Sequence, residues 1–147
     1  MARLHPAHRL RLLANAINLT TAVGLVIALA GRSRLSPGPD GLILAEGYRL
    51  PFPRAGAFTV GNVIVTATSM AELERRTAGV LGHEGRHAWQ YALTGVWFFP
   101  AYALASAWSA VRTRSPARGN LFERHAGLVS GGYVPAGGKA DRRRPQP

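Results

Sequence analysis

The spacing His83-Glu84-Gly85-Arg86-His87 constrains this chain more than any other stretch, because it makes chemical sense on a helix whose histidine face turns inward. At about 100° per residue, two residues four apart stand about 40° from each other, so both imidazoles reach a common point. Histidine is only 5 of 147 residues, which makes chance a poor account of the spacing. One metal ion shared by the two rings explains it. Glu84 then lies about 100° round the helix, where a carboxylate takes a proton from metal-activated water without itself holding the metal. The competing structural explanation is two helix histidines and a glutamate making surface hydrogen bonds.

The surrounding residues favour a helix. Ser69-Met70-Ala71-Glu72 has the pattern of a capping box and Glu74 follows in the first turn, so the helix is expected to run from about residue 69 past His87. On that helix Arg76, His83, His87, Gln90 and Thr94 form a polar stripe beside an apolar one of Leu73, Val80, Leu81, Ala88 and Tyr91. Glu84 falls on the boundary, where partial burial moves a carboxyl upward into the range useful for a base. Gly79, Gly82 and Gly85 each cost about 1 kcal/mol inside a helix. They are expected to leave a smooth strip for close approach of a neighbouring backbone or a substrate, the alternative being a helix that begins later, near Val80.

Two histidines need a third ligand. Downstream of His87 the carboxylate side chains are Glu123 and Asp141. Asn120 reads as an N-cap that would project Glu123 from the first turn of a short helix, and Ala126 and Gly127 are small enough for that helix to pack closely on the first. Asn120 and Glu123 also have capping-box spacing, a purely local role. Glu123 is the expected ligand, with His125 as its substitute. The chain has no cysteine, so any zinc must be held by nitrogen and oxygen.

His83-Glu84-x-x-His87 followed by a glutamate on a later helix resembles the gluzincin type of zinc metallopeptidase. The longer pattern ending in Gln90 is similar to the small peptidase-like core domain associated with extracellular contractile injection systems. Asn120-x-Phe122-Glu123-x-x-Ala126-Gly127, with Gly131-Gly132-Tyr133 after it, also resembles short HExxH proteins of high-GC bacteria. The likeness covers roughly residues 69–133. It implies a minimal zincin-like α+β domain in which a sheet edge beside the metal helix binds extended peptide by strand addition, and residues 62–66 are the expected edge. Many gluzincins carry an aspartate where Gly127 stands, so the resemblance implies weaker outer support for the site here.

The remainder of the chain is read as follows. Its length suits one domain. The net charge of +11 comes from 17 arginines and Lys139, without a nucleic-acid-binding motif or aromatic platform, so no nucleic-acid partner is expected. Residues 1–31 combine a basic start with an apolar stretch over residues 12–30 that Asn15, Asn18, Thr20 and Thr21 interrupt. A membrane span, a signal peptide and a helix packed on the domain or on a membrane surface compete here, and the polar residues favour the last. Residues 31–41 read as a loop. Residues 42–45, 48–50 and 58–67 read as short strands of an antiparallel sheet, with a turn at Glu46-Gly47 and a hairpin turn or a bulge at Gly61-Asn62. Pro100 suits the start of an uncharged helix that runs to about Val111, with aromatic residues apt for core or membrane interface.

The expected organisation is thus an N-terminal segment over residues 1–31, an α+β zincin-like domain over 40–133, and a disordered basic tail over 134–147. It has a small antiparallel sheet, the HExxH helix, a second ligand helix and an apolar N-terminal helix. The expected activity is peptide hydrolysis with Zn2+ on His83, His87 and Glu123, Glu84 as general base, and His125, Tyr133 or Tyr102 as donor to the oxyanion. A peptide or protein is the expected partner, with contact to a membrane surface; the expected location is the cytoplasm or its membrane rather than the exterior. Two other classes compete: a zinc site that only staples the domain, and a basic membrane-surface protein in which the motif is incidental.

Overall fold

The computed structural model describes residues 4–51 and 56–135. They form a mixed α+β fold built on one four-stranded sheet. The N-terminal apolar stretch is two helices, α1 (Pro6–Ile17) and α2 (Thr20–Ala30), bent by 75° at Asn18-Leu19. The interruptions noted in the sequence are the cause. The Asn18 side-chain Oδ1 accepts hydrogen bonds from Thr20 at both N and Oγ1, and Leu19 takes a left-handed conformation, φ 64°.

Four strands follow: β1 (Arg34–Pro37), β2 (Ile43–Glu46), β3 (Ala57–Val60) and β4 (Val63–Thr66). The sheet is mixed, not antiparallel. Its order is β1-β2-β4-β3, with antiparallel β1–β2 and β3–β4 pairs and a parallel β2–β4 pair. β1 lies inside the stretch expected to be a loop, whereas residues 48–50 carry no strand. The Gly61-Asn62 turn of the β3–β4 hairpin is where the sequence signal put it. All four residues of β4 are buried, so residues 62–66 are not the sheet's edge; that position belongs to β3.

The expected continuous helix from residue 69 is also two: α3 (Met70–Arg76) and α4 (Val80–Thr94). Ser69 caps α3 by accepting from the Glu72 N–H. Gly79 then adopts φ 85°, a left-handed turn that ends any continuous hydrogen-bond ladder. The Glu74 carboxylate accepts from the Gly79 and Leu81 N–H groups, so the acid expected in the first turn of one helix instead caps the start of the next. Gly82 and Gly85 do not make room for a neighbour: a Cβ on Gly82 would meet nothing within 4 Å, and one on Gly85 only Leu42 at 3.7 Å.

The sheet separates two apolar layers. One joins Ala28 of α2 to Ala45, Tyr48, Val63 and Val65; the other joins Ile64 and Leu42 to Met70, Val80 and Ala88. Beyond the β3 edge, Val60, Tyr91 and Phe98 form a third cluster with Phe122. It seats α5 (Phe98–Thr113) and α6 (Leu121–Ala126) beside α4. The sequence from Gly131 through Pro135 is part of the described fold, while residues 136–147 of the expected tail lie outside the described residues.

Candidate metal centre

α4 carries His83, Glu84, His87 and Gln90 on its buried side. Val80 and Ala88 anchor the helix in the core, and a 3.6-residue period then turns the histidine face toward α6. α6 is placed by Asn120, whose Oδ1 accepts from the Phe122 N–H while its amide donates to Ser106 Oγ of α5. Glu123 therefore leaves the first turn of α6 pointing into the fold and is not spent on a capping box.

The three expected ligands converge. His83 Nε2 lies 3.1 Å from His87 Nε2 and 3.1 Å from Glu123 Oε2, and His87 Nε2 lies 3.6 Å from Glu123 Oε1. A tetrahedral ion with bonds of about 2.0–2.2 Å holds its donors about 3.3–3.6 Å apart. Among the described residues this is the His/Asp/Glu group arranged to hold a metal ion, and all three members are buried.

Hydrogen bonds on the far side of each ring set which nitrogens face inward. The His83 Nδ1–H donates to the Gly127 carbonyl at 3.0 Å, and the His87 Nδ1–H donates to Gln90 Oε1 at 2.7 Å. Gln90 is fixed in that sense because its Nε2 donates to the Phe122 carbonyl. Both Nε2 atoms thus present lone pairs to each other, and Glu123 Oε2 is buried without a hydrogen-bond donor. Three electron-rich atoms packed this way have room for a shared cation. That donor set fits a metal ion that takes nitrogen and oxygen ligands.

A proton is the other way to relieve the crowding. Burial acts to lower the His87 pKa, but the Glu123 and Glu84 carboxylates outweigh it and hold it above the usual imidazole value. For Glu123 burial acts upward, yet His83, His87 and Tyr102 together hold the carboxyl far below the usual carboxylate range. The Tyr102 hydroxyl donates to Glu123 Oε1.

Glu84 is 5% exposed and stands beside the group without joining it. Its Oε2 accepts from Thr59 Oγ1 at 2.6 Å, which ties it to β3. Burial pushes its pKa up, against the pull of His87 and Thr59. Thr59, Gln90 as a hydrogen-bond partner and the Gly127 carbonyl were not singled out for these roles by the sequence. The alternation along β3 offers a weak signal for Thr59, and a main-chain carbonyl offers none.

Gly127 replaces the aspartate that the resemblance called for with its own backbone. It has φ 103°, a conformation open mainly to glycine, and a Cβ there would stand 2.7 Å from Ser130 Oγ. The segment after it folds over the site. Gly131 comes so near that a Cβ would stand 2.6 Å from His83 Cε1, and the Tyr133 ring centroid lies 6.0 Å from that of His83.

A cavity of about 430 Å³ opens in front of the group. His83, Glu84, His87 and Glu123 form its floor, β3 one wall, and Phe98, Phe99 and Tyr102 the facing wall. Tyr102 and Tyr133 both line it, whereas His125 is exposed and sits against Gln90 instead. Burial, then the nearby carboxylates, raise the pKa values of both tyrosines, so each keeps its proton at neutral pH. Comparison with protein-family models, curated proteins and solved structures finds no match to the chain.

Proposed function

We propose that this chain is a zinc-dependent metallopeptidase of the gluzincin type, with zinc on His83, His87 and Glu123 and Glu84 as general base. The observation that carries the reading is the pair of buried Nε2 lone pairs 3.1 Å apart beside a carboxylate oxygen without a donor. A carboxylate next to that group, buried but outside it, favours hydrolysis over a zinc that only staples the domain. Bound zinc supplies Lewis-acid polarisation of a carbonyl and lowers the pKa of water toward about 7.

The protein's own groups do the rest. Gly127 and Gln90 hold the imidazoles in the tautomer that leaves Nε2 free. Glu84, steadied by Thr59, accepts the proton of the attacking water, and its burial raises its basicity for that task. Tyr133, protonated and lining the cavity, donates to the oxyanion as the carbonyl becomes tetrahedral, and Tyr102, whose hydroxyl donates to Glu123, steadies that carboxylate. Extended peptide adds to the outer edge of β3, since residues 57–60 line the cavity and no strand covers that side among the described residues.

The reading is tested with a peptide library and purified zinc-loaded protein. Cleavage by the wild type, and a loss of about 10²–10⁴-fold in Glu84→Gln with zinc content unchanged, is the expected result. Zinc retained with no cleavage in either protein supports a purely structural ion instead.

A further inference from the structure

Three helices turn large apolar side chains outward, and α1 buries polar ones beneath them. α1 turns Arg11 and Asn15 into the protein, where both donate to Asn62 Oδ1 and Asn15 also donates to the Ala88 carbonyl. Leu10, Leu13 and Ile17, spaced along one face, are left exposed. α2 buries Thr20, Gly24 and Ala28 and exposes Val26 and Leu29. α5 buries Phe98 and also Ser109, which bonds the Ser115 carbonyl and the Gly119 N–H, while Leu104, Trp108 and Val111 point outward along one stripe. A helix in water favours the opposite arrangement.

The α1–α2 bend also touches the α4–α5 turn. The Asn18 side chain, at the α1–α2 bend, donates to the Tyr91 carbonyl at 3.0 Å, and a Cβ on Gly95 would lie 3.5 Å from the Asn18 Cβ. This contact sets the α1–α2 bend, where Ile17 and Leu19 flank Asn18 in sequence, against the α4–α5 turn, which carries Leu93, Val96 and Trp97 around Gly95. Leu93 is 83% exposed and Trp97 75%. No Asp, Glu, Lys or Arg occurs between Arg11 and Arg32, nor between Arg86 and Arg112. The tip is therefore uncharged, and exposed arginines stand at the other ends of the same helices: Arg9 on α1, Arg32 after α2, Arg112 and Arg114 at the end of α5.

We propose that this tip and the outward faces of α1, α2 and α5 seat the protein in the interface of an anionic lipid bilayer, with the arginines at the level of the phosphates. Burial of polar side chains beneath exposed apolar ones suits hydrocarbon as the outer medium. α2, 11 residues, and α5, 16 residues, are about 16 Å and 24 Å long, short of a hydrocarbon core of about 30 Å. No single helix among the described residues is long and apolar enough to cross a membrane, and α1 and α2, which together have the length and composition, are bent by 75°. Charge selects lipid over a second copy of the chain. A net +11 repels another +11 brought to the same face, whereas anionic headgroups neutralise it. The proposal uses no residue of the metal centre and stands or falls independently of it.

The test is co-sedimentation of the full chain with vesicles of phosphatidylcholine alone or containing phosphatidylglycerol. At least about tenfold stronger binding to the anionic vesicles, weakened by added salt, is expected. The double variant Leu93→Ser, Trp97→Ser removes two exposed side chains from the tip and is expected to cut that binding by about tenfold or more. A separate protein with Trp97 as its sole tryptophan, made by Trp89→Phe and Trp108→Phe, is expected to be quenched by lipids brominated on the acyl chains. One with Trp89 alone, half-buried on α4, is not. Protein left in the supernatant with anionic vesicles, or Trp97 unquenched in the bound protein, overturns the proposal. So does light scattering that shows a dimer which the tip substitutions dissociate, since a second copy then covers the face.

Discussion

Gly127→Ala tests how the first histidine is held. At φ 103° an alanine costs about 1–3 kcal/mol in backbone strain. Its Cβ would also stand 2.7 Å from Ser130 Oγ, displacing a hydroxyl that donates to the Gly127 carbonyl at 3.1 Å and costing a further ~0.5–1.5 kcal/mol. The variant is expected to lose about 2–4 kcal/mol of stability by denaturant unfolding. The peptide plane must turn to relieve the strain, which moves the carbonyl that accepts from His83 Nδ1. Zinc affinity, read by competition with a chromophoric chelator, is then expected to fall about 10–100-fold. Adding Ser130→Ala removes the steric contact but not the φ strain, so stability recovers only in part and affinity stays low. Gly127→Ala protein that binds zinc within about threefold of the wild type refutes the carbonyl's role.

Gln90→Leu leaves the His87 Nδ1–H and the Phe122 carbonyl without their partner in the interior, and zinc affinity is expected to drop about 10–100-fold in the same chelator assay. Tyr133→Phe is expected to lower kcat about 10²–10³-fold with zinc content unchanged; an unaltered rate removes Tyr133 from the chemistry. The pH dependence has a defined sign. In the metal-free protein the raised pKa of His87 gives stability that is complete below about pH 6.5 and fades as pH rises through the raised value. A metal ion needs that nitrogen without its proton, so stabilisation by zinc grows over the same interval. Added zinc is expected to raise Tm more at about pH 8 than at about pH 6, and equal shifts contradict the assignment of His87 as a ligand.

The candidate centre was legible where it depended on local spacing. His83 and His87 needed only the helical period, and Asn120 before Glu123 gave the first turn from which the third carboxylate points. What supports the centre was harder to read. A carbonyl such as that of Gly127 has no letter in the sequence, and Gln90 shows its role only once Phe122 is seen to hold its amide. The fold was legible as α+β but not in its pairing. The parallel β2–β4 register joins Ile43 to Val63 across a hairpin, a long-range choice that alternation along either strand does not encode. β1 was hidden by Ser36 and Pro37, which read locally as loop, whereas the helix start at Val80 was the alternative the three glycines raised against the cap signals at Ser69. Arg11 and Asn15, four apart on α1, were a sign that this helix would turn its polar side inward, one overshadowed by the apolar residues between them.

The account rests on a cation shared by two imidazoles and one carboxylate, and metal analysis of the purified chain after dialysis tests it most directly. The predicted result is about one zinc per chain in the wild type and in Glu84→Gln, with zinc lost when His83, His87 or Glu123 is replaced by alanine. A wild-type chain that holds no metal under zinc saturation, or one whose zinc survives Glu123→Ala undiminished, contradicts it.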